Sequence, residues 1–268
     1  MLGPTGSFNF RDVGGLLAGG GSRVSGGLLY RAGNLDGLTD DGWHQLSGLG
    51  VRTVVDLRLP EETPGRAVGA AVPVGVAVHR FPMWGGEPGD AVLARLTTDP
   101  GSRPSSTTPE RALRGFTDAK VRAYETIVVR EGAAVGAAVR VLAEPGGLPA
   151  VVHCAAGKDR TGLVVAVVLR LLGVSEQAVM ADYLRSRDGV SQTRLSRYTL
   201  ELERLGIPLA AFVPVYAAHP ASLRAALSAI ESGWGSARGY LVGPGAVPAD
   251  LLDRLGDRLT ETVDPAHP

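Results

Sequence analysis

The chain has 268 residues, enough for a sizeable core in one or two domains, and its 44% hydrophobic and 20% charged content is ordinary for a globular protein. Lys+Arg and Asp+Glu both number 27, so the net charge is zero and nothing supports a general electrostatic binder of nucleic acid. No apolar run reaches the ~18–20 residues of a membrane span, no basic segment followed by an apolar run marks a Sec-type signal, and a lone cysteine rules out an internal disulfide framework. A cytoplasmic location is the default expectation.

In chain order, Ser7 to Leu16 is a short apolar segment broken by the pair Arg11-Asp12 and ended by two glycines, for which a solvated pair at a turn is the plain reading. Ala18 to Gly27 is a glycine- and serine-rich, hairpin-like connection. Thr39-Asp40-Asp41 opens a helix with a capping threonine and early acids, and the helix runs through Trp43, Leu46 and Leu49 to Gly50. Val51 to Leu59 reads as a strand with Asp56 and Arg58 at its carboxyl end, where open α/β sheets bind ligands. The same pair also suits an ion pair pinning the sheet edge.

His79 to Met83 continues the sheet, and residues 84–109, rich in Gly, Pro, Ser and Thr, form a loop insertion. Arg111 to Val129 is an amphipathic helix, and a second runs from Ala133 to Ala143 before Glu144-Pro145-Gly146-Gly147 stops it. Helical sequence resumes at Glu176 to Arg187, between Ser191 and Ala218 with apolar residues on both sides, and from Pro220 to Ile230. Leu251 to Leu259 closes the chain with leucines at helical spacing.

The chemistry concentrates at 149–172. Pro149 to Val152 has strand character, and Leu163 to Leu172 is aliphatic and long enough for a buried helix. Between them lies His153-Cys154-Ala155-Ala156-Gly157-Lys158-Asp159-Arg160-Thr161-Gly162, so the stretch reads as strand, tight loop and helix. A helix start after a glycine-bearing loop presents open N–H groups and the positive end of its dipole, a ready anion site. Gly157 lets successive N–H groups of Ala155 to Arg160 turn inward as a nest. A cysteine at that mouth is acidic, since helix N-termini and nearby cations bring a thiol from ~8.5 to roughly 3.5–7.5.

Arg160 can curl back to grip two oxygens of a tetrahedral dianion, and Thr161 can bond the sulfur or cap the helix. This combination suits attack on phosphorus through a phosphocysteine. A Walker loop is excluded because Asp159 follows Lys158 and position 152 is Val, and adjacent His153 and Cys154 cannot supply a zinc site. No metal or cofactor is called for.

His-Cys-x5-Arg-Thr-Gly resembles the signature of the protein tyrosine phosphatase superfamily, and Ala-Gly-Lys-Asp-Arg-Thr-Gly resembles its bacterial branch. Asn9-Phe10-Arg11-Asp12, Leu29-Tyr30-Arg31, Asp182-Tyr183-Leu184 with Ser186, and Gly235 to Leu241 extend the likeness along the chain. The resemblance implies an α/β cysteine-phosphatase fold over 1–268. Its central, mostly parallel sheet would be flanked by helices and topped by a lid from the 84–109 loop and the 185–218 helical region.

It also implies hydrolysis of phosphotyrosine, phosphoserine/threonine or phosphoinositides, with Cys154 as nucleophile, Arg160 as phosphate clamp, Arg11 or Asp12 bracing the site, and Lys158 associated with phosphoinositide substrates. The partner is then a phosphorylated protein or phosphoinositide, and members of pathogens are exported without a visible signal. A mycobacterial member has an aspartate directly after the Phe-Pro, where this chain has Met83. The leaving group's proton is therefore expected from Asp159, whose alternative role is to orient Arg160 or Arg11. Glu87 and Asp90 would serve only if their loop folds inward. The missing acid also sustains the alternative of a non-catalytic phospho-ligand binding module.

Overall fold

The computed structural model describes residues 3–63, 72–85, 108–187 and 195–263. Four short runs rich in Val, Ala and Leu form parallel strands: β3 (Leu29–Ala32), β4 (Thr53–Asp56), β5 (Ala77–Arg80) and β6 (Ala150–His153). With β1 (Arg11–Asp12) they make a five-stranded sheet in the order β1-β3-β6-β4-β5, in which only the β1–β3 pairing is antiparallel. Strands β3, β4 and β6 are buried along their whole length, as expected where helices cover both faces of a parallel sheet. The register sets Ala32, His153, Asp56 and Arg80 side by side, so four strands end level at one rim.

The period-two alternation of each strand divides the core. Tyr30, Ala32, Val54 and Val151 face Trp43 and Leu46 of α1 (Asp40–Gly48), whose first turn is capped by the Thr39 hydroxyl accepting from Gly42 N–H at 3.1 Å. Leu29, Val55, Ala150 and Val152 face the larger core. That core receives α2 (Pro109–Arg130), α3 (Gly132–Ala143), α4 (Asp159–Leu171) and α5 (Glu176–Leu184). The sequence from Arg160 to Leu169 is buried all round in α4, which explains its near-unbroken aliphatic composition. Ser175 caps α5 by accepting from Ala178 N–H at 3.2 Å.

Residues 195–217 pack differently. Helices α6 (Thr199–Arg204) and α7 (Leu209–Tyr216) bury Leu202, Ile207 and Phe212 against Ala112 and Phe116 in the first half of α2, in a cluster separate from the main core. Phe212 meets Phe116 edge-on at 5.0 Å and Tyr198 at 5.3 Å. The second half of α2, with Tyr124, Ile127 and Val128, belongs to the main core.

Helices α8 (Pro220–Trp234), α9 (Ala237–Val242) and α10 (Ala249–Leu259) complete that core, the last through Leu251, Leu252, Leu255 and Leu259. The chain does not end its ordered path there: β7 (Thr260–Thr262) pairs antiparallel with β2 (Ser22–Val24). Ala18 to Gly27 does fold back locally, with Leu17 bridged antiparallel to Arg23, and β2 also pairs with the C-terminal segment, a long-range pairing that a local pattern does not encode. Most of the expected 84–109 insertion, with Glu87 and Asp90, and residues 188–194 of the expected lid lie outside the described residues. No helix among the described residues is long and apolar enough to cross a membrane.

Candidate active site

Strand β6 delivers Cys154 to the sheet rim, and the chain then turns through Ala155–Lys158 into α4. The turn requires a left-handed backbone at Gly157 (φ +66°), where a Cβ would also lie 2.2 Å from the Ala32 carbonyl oxygen. The loop carbonyls are drawn outward by donors behind them. Asn34 N–H donates to Ala155 O at 3.2 Å, Asn9 Nδ2 to both Ala156 O and Gly157 O at 3.0 Å, and Arg31 Nη2 to Gly157 O at 2.9 Å. The N–H groups of Ala156, Gly157 and Lys158 meet no acceptor among the described residues. Fixing the carbonyls on one side leaves these amides, beside the N-terminus of α4, as donors for an anion on the other.

The Cys154 thiol is buried at the floor of this loop. Burial alone would raise its proton affinity. The Arg160 charge, with the Thr161 N–H, outweighs burial and holds the thiol below its ordinary range. The Thr161 hydroxyl is buried in the first turn of α4 with no hydrogen-bond partner among the described residues, so Arg160 is the main influence on the sulfur; the residue at the helix cap is Lys158, and its side chain makes no cap bond.

Arg160 is oriented by acceptors on one edge. Its Nη1 donates to Glu62 Oε2, to Leu57 O at 3.2 Å and to Met83 O at 3.4 Å, while Nη2 donates to Glu62 Oε1 at 2.7 Å. Glu62 is itself fixed, since Oε2 accepts from Leu59 N–H at 2.8 Å in the turn after β4. Burial opposes ionisation of Glu62, but its bonds from Arg160 keep the carboxyl ionised below its usual range. Among the described residues the Nε–H and one Nη2 hydrogen of Arg160 meet no acceptor, a two-point fork suited to phosphate oxygens. Gly85 passes over this fork, where a Cβ would stand 3.2 Å from Nε.

Asp159 faces neither Arg160 nor Arg11 as a hydrogen-bond partner. Its Oδ1 accepts from the Tyr124 hydroxyl at 2.6 Å and its Oδ2 lies 3.4 Å from Lys158 Nζ. Burial raises the Asp159 carboxyl, but Lys158, Lys120 and the Tyr124 bond lower it further, so it rests ionised. The Tyr124 and Tyr183 hydroxyls are 2.7 Å apart. Lys158 is neither at the rim nor solvated: it is 5% exposed, donates to Tyr216 O at 2.6 Å and stands 4.2 Å over the Tyr216 ring.

The whole span from residue 3 to residue 261 matches the model of the family described as "Tyrosine phosphatase family". The chain belongs to the tyrosine phosphatase family. Triple specificity protein phosphatase PtpB of Mycobacterium tuberculosis is 34% identical over 88% of this chain and 91% of its own length. A putative tyrosine-protein phosphatase of Cupriavidus necator is 33% identical over 87% of this chain and 80% of its own. Among solved structures, P. aeruginosa TpbA overlaps 72% of this chain and 88% of its own with 14% identity and a TM-score of 0.31. The mostly parallel sheet flanked by helices is that of a tyrosine phosphatase, and the chain is a hydrolase of phosphate esters.

In this phosphatase the remaining predicted residues sit at different distances from the loop. Arg11 donates to Asn9 Oδ1 at 2.7 Å and to Asp182 Oδ1 at 2.8 Å, and Arg31 donates to Asp182 Oδ2 at 2.5 Å, so Arg11 braces the loop through Asn9 and Asp182. Asp12 does not join it: its oxygens accept from Gly14 and Gly27 N–H at 2.8 and 2.6 Å and hold the turns beside β1 and β3. Arg58 lies against Asp56 (Nη2 to Oδ2 2.9 Å) and Asp36 (2.6 Å). This buried cluster fastens the end of β4 without contacting the loop. His153 is fully buried, and burial depresses it to about 4 despite Asp56 at 3.7 Å, so it is neutral and supports the loop as packing.

Around the candidate loop the structure also gathers residues without an assigned role in the sequence reading. Asn9, Arg31, Asp182 and Tyr183 carried the resemblance as parts of motifs, and Tyr124 read as a core position. Glu62 and Lys120 gave no signal, because a surface-type residue in a turn or an amphipathic helix looks the same whether it pairs or not. Met83, where a relative has an acid, is wholly buried in the core and offers the site only its carbonyl.

Proposed function

We propose that the chain is a cysteine-dependent phosphatase that hydrolyses phosphomonoesters through a phosphocysteine. The observation that carries this reading is an acidic buried thiol at the base of open loop amides, with the free edge of a pre-oriented Arg160 beside it. The Cys154 thiolate attacks phosphorus, the phosphorus–oxygen bond to the leaving group breaks, and the alkoxide or phenoxide takes a proton. Amides of Ala155 to Arg160 and the Arg160 fork hold the equatorial oxygens as charge spreads over them. Water then attacks phosphorus, the phosphorus–sulfur bond breaks, and Cys154 returns as thiolate.

Asp159 is the proton donor in this scheme. It rests ionised, but a phosphate dianion seated in the loop sets like charge beside it and raises its proton affinity. The Asp159 acid then protonates the leaving oxygen, and the resulting carboxylate takes the proton of the attacking water. The substrates are phosphotyrosine and, where the opening admits them, phosphoserine/threonine and phosphoinositides. Residues 195–217 act as a helical lid. Burial of Met83 favours the second reading, a phospho-ligand binding module, since it removes one acid position.

A phosphate-release assay tests both. Wild type and Cys154→Ser are compared on phosphotyrosine, phosphothreonine and phosphatidylinositol phosphates. Release that depends on Cys154 supports the enzyme. Phosphate binding without release by wild type would replace it with the binding module.

A further inference from the structure

Lys120 lies in α2 with no part in the mechanism above, and it is half-buried near the candidate loop. Its Nζ donates to the last carbonyls of the α7 segment: Val215 O at 2.9 Å, Tyr216 O at 3.1 Å and Ala217 O at 2.7 Å. Lys158 Nζ, from the catalytic loop, donates to the same Tyr216 oxygen at 2.6 Å. Two ammonium groups are thus held together around one neutral oxygen. Burial and the like charge of Lys158 both depress Lys120, to about 7, and only Asp159 opposes them; His219 feels the same cation. Near these two cations the carboxylate is Asp159, which Tyr124 shares.

Carbonyl dipoles satisfy such a pair less well than an anion would, because charge-assisted hydrogen bonds are roughly twice as strong as neutral ones. The segment that supplies the carbonyls is also the separable part of the fold. Its apolar side chains pack with the first half of α2 in their own cluster, and the main core resumes only at Ala218. Lys158 is four residues from Cys154, which puts a group bound there beside a phosphate in the loop.

We propose that Lys120 and Lys158 form a subsite for a second phosphate group on the substrate, closed in this structure by the last turn of α7, and that Lys120 is therefore a specificity-determining residue. A ligand with one phosphate leaves the clasp on Val215–Ala217 in place. A ligand with two exchanges the carbonyls for its second phosphate and releases the turn. This rests on the phosphatase reading of the loop.

The test is made on Cys154→Ser protein, where ligands bind without turnover. Calorimetry compares a short-chain, water-soluble phosphatidylinositol bisphosphate with the matching monophosphate. The expected preference for the bisphosphate is about tenfold, the size of one added charge-assisted contact. Lys120→Met should bring that ratio close to one, and Lys120→Arg should keep it. The free inositol bisphosphate should show the same preference, because the subsite reads phosphate; preference for the lipid alone would overturn the proposal.

Amide exchange of 209–217 in otherwise unaltered Cys154→Ser protein gives a second readout, independent of the Lys120 variants. The bisphosphate should speed exchange there and the monophosphate should not. Equal affinities and unchanged exchange would sink the subsite alone. Absence of binding by every phosphate ester would sink the phosphatase reading with it.

Discussion

Arg160 has its charge and its direction set by different neighbours. Its charge lowers the Cys154 thiol, while Glu62 takes one edge of the guanidinium and is pinned by Leu59 N–H. Glu62→Gln keeps the size and loses the charged, two-oxygen grip. The guanidinium should wander, and kcat should fall about 100-fold with a smaller change in KM, the usual cost of a misplaced catalytic group; steady-state kinetics on an aryl phosphate measures it. An unchanged kcat would show that Leu57 O and Met83 O suffice.

The thiol can be followed separately. Burial raises Cys154 while Arg160 is the largest influence lowering it, so the rate of iodoacetamide alkylation should titrate below the ordinary thiol range. Removing the cation in Arg160→Met disfavours the thiolate, and the alkylation profile should move to higher pH. The cysteine, the arginine and the left-handed loop glycine all stand in one decapeptide, so the candidate loop was legible locally. Glu62 was not, since its meaning depends on a turn after β4 arriving beside a loop 98 residues away.

Among elements, α5 contributes most to the site without touching the reacting groups. Asp182 stands between Arg11 and Arg31, and Arg11 and Arg31 also share the Ser186 hydroxyl at 3.1 and 3.3 Å. Asp182→Asn would leave two buried guanidinium groups with no carboxylate between them, and a loss of about 3–5 kcal/mol is expected in urea unfolding. Burial raises the Asp182 carboxyl but the two arginines lower it more, so its folded value lies below its unfolded one. The stability it supplies is present above the unfolded value of ~3.9 and is lost as pH falls through the folded value. The acid limb of the unfolding profile should therefore flatten in Asp182→Asn.

The elements themselves were largely legible. The Thr39 and Ser175 caps, the aliphatic run of α4 and the Glu144–Gly147 stop are local signals, and the helices begin and end near them. The β2–β7 ribbon was not, because its partners are 236 to 240 residues apart and each strand has three residues.

At the scale of the molecule the chain has a main core on one face of the sheet, a smaller one under α1, and a third, detached cluster under α6 and α7. Phe212→Ala empties the middle of the third. It should cost about 3–5 kcal/mol locally. Amide exchange should speed through 199–216 while protection of α4 stays as it was; equal deprotection of both would mean that α6, α7 and the core unfold as one. The flanking of the sheet by helices was anticipated from the family resemblance. The detached cluster was not, because the same leucines and aromatics fit core or lid, and only their three-dimensional neighbours separate the two.

The outward anchoring of the loop carbonyls by Asn9, Asn34 and Arg31 has one further consequence. The shape of the anion cradle is held by main chain and by residues behind it, while Ala155 and Ala156 are only half-buried at its mouth. Exchanges at those two alanines can vary in a lineage while the grip on phosphate stays constant. A single larger side chain at either position should therefore reshape the mouth of the loop while its backbone donors stay in place.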